Sequence, residues 1–233
     1  MSKTILLIIG ILLLFFLIYS ILPTLIIRRC GFRITKKINP NQIALTFDDG
    51  PDPHYTERLL DLLKKYQIKA TFFVVGSKVE MYPEIIKRMK REGHTIGIHH
   101  YHHVSGWLLS PFQLKNQLER TKKAIEECTH ENVKFYRPPW GHFNLFSLII
   151  SKEYTKIMWS AIFGDWKVKR CKNTLLDELR KTEKGSILLL HDCGETWGAD
   201  EEAPKFMLEK LEMFLEENKE KGTSFVTLKE MDG

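Results

Sequence analysis

Two hydrophobic patterns divide the chain. From Thr4 to Ile27 no position is charged and nearly all are Leu, Ile or Phe. As a helix this stretch reaches roughly 36 Å, enough to cross a hydrocarbon core with some tilt. Pro23 is expected to kink or end it near Leu22. From about Ile38 the pattern changes to short β-branched and aromatic runs alternating with amphipathic stretches. Ile43–Phe47, Ala70–Val75, His94–Ile98, Lys134–Tyr136, Lys156–Ser160, Ser186–Leu190 and Ser224–Leu228 read as strands. Tyr55–Lys65 reads as a helix with Leu59, Leu62, Leu63 and Tyr66 on one face. A second helix, Val79–Arg91, opens on the capping-box pattern Ser77 to Glu80 and stops at Gly93. Pro111–Cys128 has Ser110 as N-cap; Leu145–Lys152, Thr174–Thr182 and Pro204–Lys219 complete the set. This alternation predicts an α/β fold, a distorted (β/α)7–8 barrel preceded by one N-terminal transmembrane helix. An open doubly wound sheet is the alternative, disfavoured because no G-x-G-x-x-G turn is present.

The expected layout is a membrane anchor over 1–27, a basic juxtamembrane linker over 28–37 and one domain over 38–233. A cleavable signal peptide would end in small residues, and Tyr19-Ser20-Ile21-Leu22-Pro23 offers no such site. The cations after the span (Arg28, Arg29, Arg33, Lys36, Lys37) outnumber Lys3 before it, which by count points the domain to the cytoplasm. A long following domain can override that count, so both orientations stay open; the expectation carried forward is an extracytoplasmic domain on a single-pass anchor. The same cations could also lie on anionic headgroups.

Charge and cysteines mainly exclude. A formal charge of +6 is spread over 35 basic and 29 acidic residues. Without a block of like charges, a dedicated nucleic-acid surface is not expected. No obligate protein partner is evident. Cys30, Cys128, Cys171 and Cys193 include no C-x-x-C pair, so they define neither a disulfide framework nor a cysteine-type zinc site.

Chemistry collects at the predicted strand ends. Thr46-Phe47-Asp48-Asp49-Gly50 delivers two adjacent carboxylates onto a loop, an arrangement that a cation would relieve. His99-His100-Tyr101-His102-His103 places four imidazoles after the third strand. On a helical turn His99 and His103 share a face, and His99 with His102 is the other pairing. With Asp49 they would form a His₂Asp site with an open position, the pattern of a catalytic metal. Arg137, Asp165-Trp166 and His191-Asp192 follow later strands, and barrel active sites gather at carboxyl ends.

Asp48-Asp49-Gly50, His99-x-x-x-His103, Arg137-Pro138-Pro139-Trp140-Gly141, Asp165-Trp166 and Leu189-Leu190-His191-Asp192 stand in an order that resembles the polysaccharide deacetylases of the NodB-homology family, carbohydrate esterase family 4. The resemblance spans roughly Ile38 to Leu228. It implies a hydrolase removing N-acetyl groups from an amino-sugar polymer, peptidoglycan or chitin-like. Its alternatives are a deacylase of a lipid-linked sugar and a non-catalytic glycan-binding protein. It further implies that Asp49, His99 and His103 bind a divalent metal, zinc before cobalt or nickel. Asp48 would be the general base, paired with Arg137. His191 would be the acid for the leaving amine, oriented by Asp165. The Trp140 N–H would help hold the oxyanion, and Trp166 and Leu189 would wall the acetyl methyl. Three positions depart from the family pattern: Ile98 for Asn, His100 for Ser or Thr, and Ile162 for Asp. His100 and His102 could offer a second metal site.

Overall fold

The computed structural model describes residues 2–231. Nine short strands form one parallel sheet: β1 (Ile34–Thr35), β2 (Gln42–Asp48), β3 (Thr71–Val74), β4 (Thr95–Ile98), β5 (Phe135–Tyr136), β6 (Thr155–Ile157), β7 (Ala161–Ile162), β8 (Ile187–His191) and β9 (Ser224–Phe225). Their lateral order is β1-β6-β5-β4-β3-β2-β8-β7, with β9 pairing β2. The expected distorted barrel is therefore a curled half-barrel. Among the described residues no ladder closes β7 onto β1. The central strands β2, β3 and β8 are buried along nearly their whole length, as parallel strands covered by helices are. β1 and β7 were not anticipated from sequence. At two residues each they are too short to show periodicity, and they exist only through their pairing with β6 and β8.

The helices are α1 (Lys3–Phe16), α2 (Leu22–Cys30), α3 (Tyr55–Lys65), α4 (Gly76–Met81), α5 (Pro83–Arg91), α6 (Pro111–Thr129), α7 (Ser147–Ile150), α8 (Val168–Asn173), α9 (Leu175–Arg180) and α10 (Ala203–Glu220). Helix α6 starts as expected, with Ser110 and Gln113 closing a full capping box. In α3 the buried face is Thr56, Leu59, Leu60 and Leu63, a small rotation from the expected face.

Two helical expectations need correction. The second helix is broken in two, because Pro83 cannot donate and pushes Tyr82 to φ −129°, ψ 56°. Ser77 is inside α4 rather than capping it. The amides of Gly76 and Ser77 donate to the carbonyls of His100 and Tyr101 instead. The N-terminal apolar helix does not end near Pro23. A π-helical turn, Leu17–Ile21, joins α1 to α2, and helical structure runs from Lys3 to Cys30. The wider turn accommodates the missing N–H of Pro23, and the rod stops at Gly31 with φ 66°. The residues read as a basic linker are thereby divided: Arg28 and Arg29 lie in the last turn of α2, and Ile34–Thr35 pair with β6.

Candidate active site

The sheet register brings the motifs together. Asp48 ends β2 directly beside His191 at the end of β8. Ile98, the last residue of β4, pairs with Tyr136 of β5, so His99 and Arg137 leave the sheet as neighbours. Arg137 is fully buried and satisfied almost entirely by the barrel floor. Its Nη1 donates to Asp48 Oδ1 at 2.6 Å and to Thr46 Oγ1 at 2.8 Å, and Nε and Nη2 donate to the carbonyls of Ile157 and Met158. Its guanidinium also lies over the Phe73 ring at 4.2 Å. One oxygen of Asp48 is thus fixed, while the other, Oδ2, lies 3.8 Å from His99 Nε2.

His99 and His103 do approach one point, but no helix brings them there. Residues 99–105 form a loop in which His100 has φ 64°. The backbone of that loop is pinned by the α4 amides and by Gln117 Oε1, which accepts from the N–H groups of Tyr101 and His102. His100 is its internal peg. Its Nδ1–H donates to the Val104 carbonyl at 2.8 Å, its Nε2 accepts from Tyr136 Oη at 2.7 Å, and burial lowers its pKa to about 3. The second metal site suggested for His100 and His102 is therefore not formed: His100 points into the core and His102 is exposed. Ile98 is core as well.

His99 Nδ1–H donates to the Arg137 carbonyl at 2.8 Å, so its Nε2 carries a lone pair. That Nε2 stands 3.2 Å from Asp49 Oδ1, and His103 Nε2 stands 3.1 Å from the same oxygen. Asp49 Oδ1 is buried and has no hydrogen-bond partner among the described residues. Three acceptor atoms facing one another this closely fit a shared cation. Ligands at ~2.1 Å from a tetrahedral zinc stand roughly 3.4 Å apart. Burial raises the Asp49 carboxyl, but positive charge at this point, supplied without a cation by protons on the His103, His99 and His191 rings, outweighs it and holds the carboxyl well below the usual carboxylate range. Asp49 also has φ 79°, uncommon for a residue with a side chain.

Asp165 holds His191 at two atoms. Oδ1 accepts from Nδ1–H at 3.0 Å and Oδ2 from the backbone N–H at 2.7 Å. Burial works against a charged ring, but Asp165, with smaller help from Asp49 and Asp48, pushes the His191 pKa up to about 10. Its Nε2 has no partner among the described residues. Asp192 is not part of the cleft's chemistry: Thr56 Oγ1 donates to it at 2.5 Å, and it packs so tightly under Gly50 that a Cβ there would lie 2.4 Å from Oδ2. Cys193 is a buried packing residue whose sulfur accepts from Lys78 Nζ at 2.7 Å.

The family model for polysaccharide deacetylases matches residues 35–155. The chain belongs to that family. It is 36% identical over 197 residues to a peptidoglycan-N-acetylglucosamine deacetylase of Bacillus cereus, covering 83% of this chain and 89% of that protein. A second such enzyme of the same organism is 31% identical over 209 residues, covering 88% and 73%. A crystal structure of a peptidoglycan N-acetylglucosamine deacetylase superposes with a TM-score of 0.77 at 30% identity, over 88% of this chain and 95% of that one.

In this polysaccharide deacetylase fold, Asp48, Asp49, His99, His103 and His191 line a cavity of roughly 400 Å³ whose apolar walls include Trp140, Trp166 and Leu189. All ten residues singled out from sequence fall in or directly against it. Trp140 sits at φ 55°, which turns it over the His103 ring at a centroid distance of 4.2 Å. Ile162 contributes an exposed apolar edge where the family pattern has Asp. Sequence reasoning missed Thr196, whose Oγ1–H donates to Asp49 Oδ2 at 2.5 Å, and the walls Trp159, Trp197 and Arg28. The clustering of Thr196 and Trp197 just after His191 was a usable signal. Nothing in the sequence points from an apolar helix to a cleft, so Arg28 had none.

Proposed function

We propose that this family member is a metal-dependent hydrolase that removes N-acetyl groups from an amino-sugar polymer of the cell envelope, peptidoglycan foremost. One observation carries the reading: a buried, unpartnered carboxylate oxygen faces two imidazole nitrogens at 3.1 and 3.2 Å. Asp49, His99 and His103 would hold a divalent cation, and the His₂Asp set favours zinc. Such a cation acidifies a water and draws charge from the acetyl carbonyl oxygen.

The protein's own groups do the rest. Asp48 Oδ2, the oxygen Arg137 leaves free, takes the proton from the attacking water. His191 gives its Nε2 proton to the departing sugar nitrogen as the amide C–N bond breaks, and acetate and a free amine result. Asp165 keeps that proton on the ring. Arg137 orients Asp48. The Trp140 N–H would add a donor to the oxyanion, and Trp166 with Leu189 would exclude acyl groups bulkier than acetyl.

Helix Lys3–Cys30 is read as a retained anchor with the domain on the outer side, where the polymer is. Its retention is supported by three hydrogen bonds from side chains in the uncharged stretch of the helix to the domain: Tyr19 Oη to the Leu109 carbonyl, Ser20 Oγ to Trp107 and Thr24 Oγ1 to Phe143. The test is acetate release from chitooligosaccharides and peptidoglycan, with bound metal assayed alongside. Wild type should act, stop on chelation and recover with added zinc or cobalt, while Asp48→Asn falls by roughly 10²–10⁴-fold. Metal-loaded protein silent on both glycans, or an unimpaired Asp48→Asn, would refute the proposal.

A further inference from the structure

The docked helix is too short to span a membrane on its free part alone. Lys3–Cys30 has 28 residues, but only Lys3 to Phe15 is exposed throughout. That free part measures ~20 Å, against roughly 30 Å of hydrocarbon core. From Phe16 onward the domain is alongside: the Phe16 ring meets Trp107 edge-on at 6.0 Å, Tyr19 meets Phe146 at 6.1 Å, and the Leu145 N–H donates to the Tyr19 carbonyl at 2.8 Å. Counting ~30 Å from Lys3 reaches about Pro23. Whatever packs on Tyr19 and Ser20 therefore lies below the membrane boundary.

The surface there suits lipid. On the domain, Leu108, Phe112, Leu145 and Ile149 are 70%, 81%, 53% and 63% exposed, and each is, or lies within three residues of, a residue that bonds or packs against Tyr19 or Ser20: Trp107, Leu109, Leu145 and Phe146. On the helix, Leu17, Ile18, Leu22, Leu25 and Ile26 stay exposed on the side away from the domain. Backbone groups in hydrocarbon must be satisfied by the protein, and the loop carbonyls are. The Leu109 carbonyl accepts from Tyr19 Oη and Asn144 Nδ2, that of Gly106 from Asn144 Nδ2, that of Trp107 from Ser20 Oγ and that of Phe143 from Thr24 Oγ1. Polar residues on this helix are thus used to seal the loops beside it.

We propose that the collar of Leu108, Phe112, Leu145 and Ile149 is immersed in the acyl chains of the bilayer, so that the domain itself completes the span. Arg28, which lines the catalytic cavity, then stands ~7 Å beyond the boundary, among the headgroups. The cleft opens onto glycan at the membrane surface rather than onto distant polymer. This inference rests on the reading of Lys3–Cys30 as an anchor and not on deacetylation, which acetate release reads separately.

The test uses the full chain in phosphatidylcholine vesicles, with Cys30→Ser and Cys128→Ser as background and a membrane-impermeant maleimide as probe. Single cysteines are placed by Phe112→Cys, Ile149→Cys and Leu7→Cys. Met213→Cys, on the exposed face of α10, reports vesicle sidedness. Relative to Met213→Cys, the two collar positions should label roughly tenfold more slowly or not at all, as Leu7→Cys does. If Phe112→Cys and Ile149→Cys label as fast as Met213→Cys while Leu7→Cys is protected, the collar stands in water and the proposal is overturned. If Leu7→Cys labels as well, the anchor reading falls and the collar with it.

Discussion

Replacing Asp165 with Asn tests the acid of the proposed mechanism. In the native site the His191 pKa stands at about 10 against 6.5 for a free imidazole, even though burial pulls the other way. At about 1.4 kcal/mol per unit this is roughly 5 kcal/mol of preference for the charged ring, most of it owed to Asp165. Asp48 and Asp49 supply the remainder, and a cation beside them cancels that share. The alkaline limb of the loaded enzyme therefore lies below 10, and the informative quantity is its displacement in the variant. Asp165→Asn has lost the charge and can accept from only one of the two N–H groups that Asp165 now engages. His191 should then lose its proton about 2 or more units earlier. Acetate release measured as kcat/KM across pH should show the alkaline limb moved to lower pH with the acidic limb in place. At pH 8 the rate should fall roughly tenfold, the loss of charged ring for a limb moved from about 9 to about 7. The same raised pKa stabilises the fold below about pH 6.5, and that contribution is lost as pH rises through the folded value. The melting temperature of the variant should accordingly fall most at neutral and mildly acidic pH and converge on wild type above about pH 10. An alkaline limb that does not move would refute the assignment of His191 as the acid held by Asp165.

Two further substitutions probe the other half of the site. Arg137→Met leaves the buried Asp48 carboxylate without its cation and should cost about 3–5 kcal/mol, read as a melting temperature lower by roughly 10 °C; an unchanged melting curve would show the pair to be dispensable to the fold. Thr196→Val removes the hydrogen bond to Asp49 Oδ2 and should weaken metal affinity about 10–100-fold by competitive chelation. Its melting temperature without metal should stay near wild type, and unchanged metal affinity would sink the idea that Thr196 orients the ligand.

How much of this was written in the chain follows from the range of the interactions. The apolar helix, the alternation of strands and helices and the chemistry at the strand ends are local patterns, set by period and by short motifs. They sufficed to bring Asp48, Asp49, His99, His103, Arg137 and His191 together before any coordinates. His99 and His103 do come together at Asp49, but not by the route expected. A helical turn was assumed, yet the loop is shaped by α4 amides, Gln117 and Tyr136, none of which its own sequence encodes. β1 and β7 are strands only because β6 and β8 offer them partners. Thr196 reaches Asp49 from 147 positions away, and Thr24 reaches Phe143 from 119. Sequence determined which groups would meet at the strand ends, because one sheet register aligns them all. Only the tertiary structure decided what orients those groups and that the apolar helix is part of the domain, because both depend on contacts between segments that share no local pattern.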